Sequence, residues 1–226
     1  MKNRLPVFAF LFLLPLGACM SGPNQATIAK AEKGDVKAMF HLAEYQCARE
    51  DAAAKGAETV KWWKKIAASK NAGAAAQANE YLGLYHLSLF ANEDTYNPDA
   101  PEPISYCTGS PAKPAYTKAI RYFTRCADSG LATALSCQAD LGHLYLHRKD
   151  YAKAYLWYAT VLVEFMDETY GAGHGREISP LDPELATTLP AQNARRAAEH
   201  LSLEQAASLG KQAQEWVKAH SERQTE

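Results

Sequence analysis

Residues 119–159 read AIRYFTRCADSGLATALSCQADLGHLYLHRKDYAKAYLWYA, and their spacing decides the fold. Ala119, Tyr122, Phe123 and Cys126 fall at i, i+3, i+4 and i+7, the apolar face of a helix. Ser129-Gly130 stops that helix, because Gly130 is free to take the left-handed backbone that a helix end requires. Ala134, Cys137, Leu141, Leu144 and Tyr145 mark the buried side of the next helix, and Ala154, Trp157, Tyr158 and Val161 that of a third. The stretch is helix, tight turn, helix, short turn, helix.

Its pieces recur outward along the chain. Residues 38–45, 77–85 and 137–145 read as first helices, with Leu42, Tyr81, Tyr85, Leu141, Gly142 and Tyr145 in the repeating core. Second helices carry paired aromatics: Trp62-Trp63, Tyr122-Phe123 and Trp157-Tyr158. Gly34, Gly73 and Gly130 are expected to turn the chain into each first helix. One helix pair cannot bury its whole apolar surface, so neighbouring pairs stack and share a core. Gly and Ala in the first helix let the bulky rings of the second come close. Of Trp62 and Trp63, one ring is expected to face the neighbouring helix and the other to be partly exposed.

The predicted fold class is all-α, a short α-solenoid of antiparallel helix pairs with a C-terminal capping helix. That last helix opens at Ser202-x-x-Gln205, a capping box, and its inward stripe is Ala206, Leu209, Gly210, Ala213, Trp216 and Val217. Two segments interrupt the array. Trp62 and Tyr122 lie 60 residues apart, whereas Tyr122 and Trp157 lie 35 apart. The excess falls in residues 90–115, where Pro98, Pro101, Pro103, Pro111 and Pro114 exclude a helix. Residues 170–183 form an irregular connector before the last two helices. The repeat domain therefore spans 25–220, with a polar tail at 221–226.

Leu141-Gly142-His143-Leu144-Tyr145 matches the L-G-x-L-Y core of the Sel1-like repeat, a helical-pair family close to tetratricopeptide repeats. Ala154-Tyr-Leu-Trp157-Tyr158 and Ala119-Ile-Arg-Tyr122-Phe123 resemble its A-x-x-W-Y core. The resemblance covers most of residues 25–220; the first repeat departs from it, with Ala43 and Tyr45 in place of Gly and Leu. It implies a curved array whose concave side, lined by first helices, binds other proteins.

The start of the chain carries an address. Lys2 and Arg4 precede the apolar run Val7–Leu16, which is too short to span a bilayer comfortably and matches a signal-peptide core. Leu16-Gly17-Ala18-Cys19 resembles the lipobox of bacterial lipoproteins. That likeness implies cleavage of residues 1–18, acylation of Cys19 and a tether over 19–24. Several acyl chains on one residue suffice for a stable anchor. With Met20 rather than Asp after the Cys, the family's sorting rule implies an outer-membrane lipid anchor facing the periplasm.

Four further cysteines, Cys47, Cys107, Cys126 and Cys137, suit two disulfides in an exported chain, and four cysteines allow three connectivities. Cys126 ends one helix and Cys137 sits in the second turn of its antiparallel neighbour. Exported cysteine-rich Sel1-like proteins staple neighbouring helices with a Cys pair at a shorter spacing than the 11 residues here, an extra turn matched by the 11 residues from Gly130 to Leu141, and the resemblance implies such a bridge. Cys47 and Cys107 would then pair by elimination. Free buried thiols are the alternative.

The formal net charge of −1 and the lack of a basic cluster argue against nucleic acid as a partner. His143 and His147 share a helical face as zinc helices do, but Leu144 stands where a catalytic Glu would be and no third ligand is evident, so they read as a solvated or partner-facing pair of contact tips. Ser110-Pro-Ala-Lys113 fits an S-x-x-K string without its supporting elements and between prolines. The glycine-rich residues 171–176 follow no predicted strand, so they read as a connector, with His174 and Arg176 as contact tips. No catalytic residue, metal or cofactor is assigned. The expected function is a membrane-anchored, non-enzymatic interaction module, a scaffold or assembly factor, whose partner is another cell-envelope protein. The alternatives are a cell-wall-active enzyme, a binder of peptidoglycan or β-lactam, and an inhibitor of a hydrolase.

Overall fold

The computed structural model describes residues 23–47, 52–87, 115–131, 133–170 and 187–224, and among them every regular element is an α-helix. In chain order these are α1 (Gln25–Glu32), α2 (Val36–Cys47), α3 (Ala52–Ala67), α4 (Ala72–Leu87), α5 (Tyr116–Ala127), α6 (Ala134–His147), α7 (Tyr151–Tyr170), α8 (Leu189–Ala198) and α9 (Leu203–Gln224). From α1 to α8 each helix packs on the next, and α9 folds back onto α7. First helices of adjacent pairs also touch, α4 on α6 and α6 on α8. This is a short helical solenoid.

The aromatic pairs hold it together. Trp63, Phe123 and Tyr158 are buried, and Phe123 and Tyr158 press against a glycine of the preceding first helix. A methyl group on Gly83 would come within 2.5 Å of Phe123, and one on Gly142 within 2.9 Å of Tyr158. Trp63 packs instead beside the buried Ala43 and Leu42, with its ring 5.1 Å from that of Tyr81. Trp62 differs from expectation: it too is buried, 6% exposed against 3% for Trp63. The Lys65 ammonium lies 4.4 Å over its ring, so a long aliphatic stem covers what would have been an exposed face. The third pair does divide, since Tyr158 is buried whereas Trp157 is only partly so and meets Trp216 of α9 edge-on at 5.8 Å.

The turns show a second departure. Gly34 and Gly130 have positive φ, 94° and 64°, as their stop positions require. Gly73 does not; it lies inside α4. The turn before α4 is built by Asn71, whose side-chain oxygen accepts from the Ala74 amide at 3.0 Å. Between α6 and α7 the left-handed residue is Lys149, φ 60°. Its amide bonds the Leu146 carbonyl and the Asp150 amide reaches back to Tyr145, a Schellman arrangement. At α9 the capping box is reciprocal: Ser202 N donates to Gln205 Oε1 at 2.9 Å, and Gln205 N to Ser202 Oγ at 3.1 Å.

Cys126 and Cys137 form a disulfide between α5 and α6, with both residues fully buried. Outside the described residues lie Cys19 and the segment before it, Cys107, the insertion up to Pro114, and the connector from Gly171 with His174 and Arg176. The side chain of Cys47 is likewise outside. No helix among the described residues is long and apolar enough to cross a membrane.

Candidate functional site

The face shared by α4, α6 and α8 gathers polar side chains that the helix stripes do not need for packing. Glu80 projects from α4, and its Oε1 accepts a 2.7 Å hydrogen bond from Ser136 Oγ of α6. One turn along α6, Asp140 is half-buried beside Glu80. Burial, and then the Glu80 charge, push the Asp140 carboxyl up to about 7. Among the described residues Asp140 makes no hydrogen bond or ion pair.

Tyr158 reaches this face from behind. Gly142 leaves room for its ring to cross α6, and the residue is only 1% exposed. The charges of Arg196 of α8 and of Asp140 act on its hydroxyl in opposite senses. Asn193 sits close enough to lower the Tyr158 pKa as a hydrogen-bonding neighbour, although its contact falls short of full hydrogen-bond geometry. Burial raises the Tyr158 pKa, and the phenol stays protonated as a donor. Arg196 Nη1 approaches Asn193 Oδ1 at 3.5 Å. Nothing in the repeat pattern singles out Ser136, Asp140 or Arg196, and Glu80 stands in it only as part of a first helix.

His143 and His147 are both exposed on α6, but they serve different neighbours. The His143 ring stands edge-on to Tyr158 at 6.4 Å, and that of His147 stacks on Tyr116 at 6.5 Å. Desolvation, then Arg196 and His147, lower the His143 pKa. No group of three His, Cys, Asp or Glu among the described residues is arranged to hold a metal ion. An open depression of about 390 Å³ lies elsewhere, at the start of α5, lined by Ala115, Tyr116, Thr117, Lys118 and Arg148.

Repeat-core residues Leu42, Trp62, Trp63, Tyr122, Phe123, Leu141, Gly142 and Tyr158 are buried, and Tyr81, Tyr85, Tyr145, Trp157 and Trp216 are partly so. These belong to packing. Comparison of the chain with protein-family models, with curated proteins and with solved structures gave no significant match.

Proposed function

We propose that this protein is a membrane-tethered, non-enzymatic interaction module of the bacterial cell envelope, resembling Sel1-like repeat proteins. The observation that carries the reading is the open polar row Glu80, Ser136, Asp140, His143 and Arg196 on the first-helix side of a solenoid. Stacked helix pairs use such a face to hold extended partners. The buried Cys126–Cys137 disulfide supports export, because such bonds persist in oxidising compartments. The lipobox-like Leu16–Cys19 supports acylation at Cys19 and an outer-membrane anchor facing the periplasm. A crosslinking pull-down from intact envelopes tests the reading, with the 90–115 loop shortened as a control. Recovery of a specific envelope protein, lost with the shortened loop, would establish the adaptor and locate a contact; recovery of nothing counts against it.

One observation favours a second reading, a cell-wall-active enzyme. A carboxyl raised to about 7 beside a second carboxyl is the pairing that acid–base catalysis uses. It stands second because the pair lies on an open face, and catalytic carboxyls work in clefts that exclude water. Release of soluble fragments from purified peptidoglycan, abolished by Asp140→Asn, would put the enzyme first.

A further inference from the structure

We propose that the outward faces of α3 and α5 form a basic surface that lies against the anionic headgroups of the bilayer holding the protein. The inference rests on the reading of Cys19 as a lipid anchor and says how the tethered domain sits on its membrane.

Helical spacing builds the surface, which is why the sequence itself shows no basic cluster. Lys61, Lys64 and Lys65 fall at i, i+3 and i+4 on α3, and Lys118, Arg121 and Arg125 at i, i+3 and i+7 on α5. All six are exposed. The opposite sides of the same helices are core, Trp63 and Ile66 on one and Phe123 and Cys126 on the other. Glu58 is the only acidic residue of the two helices, and Lys61 takes it at 3.1 Å. Among the described residues the other five cations have no ion-pair partner. A chain of formal net charge −1 has thus segregated its cations.

The two faces belong to one surface. Between them lies α4, which packs on both helices. Its last turn holds His86, whose ring stacks 5.6 Å from that of Tyr122 in α5, and the Arg121 guanidinium lies 5.2 Å over the Tyr122 ring. Lys118 and Arg121 of α5 and Lys64 of α3 all act on that one buried imidazole. Cations gathered in this way repel one another, and an anionic surface relieves them.

A bilayer suits this surface because the anchor enters beside it. Ile28 and Ala31 of α1 share a core with Trp62 and Trp63 of α3. The first residue of α1, Gln25, is six residues from Cys19, a reach of at most about 20 Å. Acylation at Cys19 therefore keeps these helices near the headgroups, and the charges choose which side faces them. The first-helix side, where Glu80 and Asp140 lie, is then turned away and left open to a partner.

The test is vesicle co-sedimentation of the mature chain, residues 19–226 with Cys19→Ser, which keeps every described residue and carries no acyl chain. Vesicles of phosphatidylcholine with about one-third phosphatidylglycerol are compared with phosphatidylcholine alone. Binding is expected to the anionic vesicles and not to the neutral ones, and about 0.5 M salt should abolish it. At roughly fivefold in partition per basic side chain, K64Q/R121Q/R125Q should weaken binding by about tenfold or more. K211Q/K218Q, at two exposed positions of α9, should leave it within about twofold. Equal binding to neutral vesicles, or undiminished binding by the triple variant, overturns the surface. So does retention on immobilised polyglutamate without vesicle binding, which gives the face to an acidic polypeptide instead.

Acylation is read separately, by mass spectrometry of the protein taken from envelopes. Acyl chains on Cys19 without vesicle binding leave the anchor standing and overturn the surface. An unmodified Cys19 with charge-dependent vesicle binding sinks the anchor and leaves the basic surface as what holds the protein to the bilayer.

Discussion

The ring of Tyr158 lies so close to Gly142 that a methyl group there would sit 2.9 Å from its Cε1. The relation repeats one helix pair earlier, where Gly83 faces Phe123 still more tightly, at 2.5 Å. Alanine ordinarily stabilises a helix by about 1 kcal/mol over glycine. Here overpacking, about 1–3 kcal/mol, opposes that gain and exceeds it. Gly83→Ala is therefore expected to destabilise the protein by roughly 1–2 kcal/mol, and Gly142→Ala by less. A methyl group on Gly210 in α9 would meet nothing within 4 Å, so Gly210→Ala should stabilise by roughly 0.5–1 kcal/mol. Urea unfolding of the three variants checks the order. A Gly83→Ala protein as stable as the parent would mean that the helices do not interlock through these rings.

Those contacts explain why the fold is legible in the sequence. Leu-Gly against a paired aromatic is a local signal, and each instance marks a helix crossing. Periodicity also places Ala134, Cys137, Leu141 and Leu144 on the buried side of α6 correctly. What periodicity misjudges is coverage at Trp62, where Lys65 from the next turn of the same helix closes over the ring. The turn before α4 is another case. Gly73 is the conspicuous residue there, yet Asn71 makes the turn, because an Asn side chain can cap the helix and glycine has none to offer. The candidate site is harder to see. Glu80 and Asp140 each read as a solvated position on an amphipathic helix. They meet only because α4 stacks on α6 across a long insertion, and Asn193 and Arg196 join from beyond a second connector. No spacing rule carries that information.

The Cys126–Cys137 bridge closes a short loop, and both residues are 0% exposed. Loop closure of this size stabilises by roughly 3 kcal/mol. Replacing both cysteines with alanine should lower stability by about 2–4 kcal/mol. The burial adds a kinetic expectation: a reductant reaches these sulfurs only after α5 and α6 separate. Reduction by dithiothreitol, followed by alkylation and mass spectrometry, should track unfolding across a urea series. Rapid reduction in the absence of urea would contradict this packing.

Two groups make stability depend on pH in opposite senses. His86 is buried with its ring stacked 5.6 Å from that of Tyr122. Burial, then Lys118, Lys64 and Arg121, lower its pKa to about 4 from 6.5. The unfolded chain therefore binds a proton the folded one refuses. This contribution is full above pH 6.5 and is lost as pH falls towards 4. Asp140, raised to about 7 from 3.8, behaves inversely: its contribution is full below pH 3.8 and is lost as pH rises through 7. Asp140→Asn should thus be nearly neutral at about pH 4 and stabilising at about pH 8. The gain is on the order of 1–2 kcal/mol, discounted because the carboxyl keeps some solvent contact. Thermal melts at the two pH values measure it, and an equal effect at both would mean that burial and the Glu80 charge do not raise the Asp140 carboxyl.

Lys149 holds a left-handed backbone, φ 60°, at the stop of α6, where a side chain costs free energy that glycine does not incur. Its amide and that of Asp150 close the last turn onto Leu146 and Tyr145, and Asp150 then caps α7, with its Oδ1 3.4 Å from the Lys153 amide. The turn is fixed by these backbone bonds and by Asp150, not by the lysine. The Lys149 side chain is exposed, so it can be removed without opening a cavity. Lys149→Gly should therefore stabilise the protein by roughly 0.5–1 kcal/mol, despite the greater freedom of glycine in the unfolded chain. Asp150→Ala at the next position removes a cap and should cost about 1 kcal/mol. Opposite signs at adjacent residues, read from chemical denaturation, would establish that the junction between α6 and α7 is held by geometry at one position and by a side chain at the other. If Lys149→Gly destabilises instead, the lysine makes a contact that the left-handed turn does not account for.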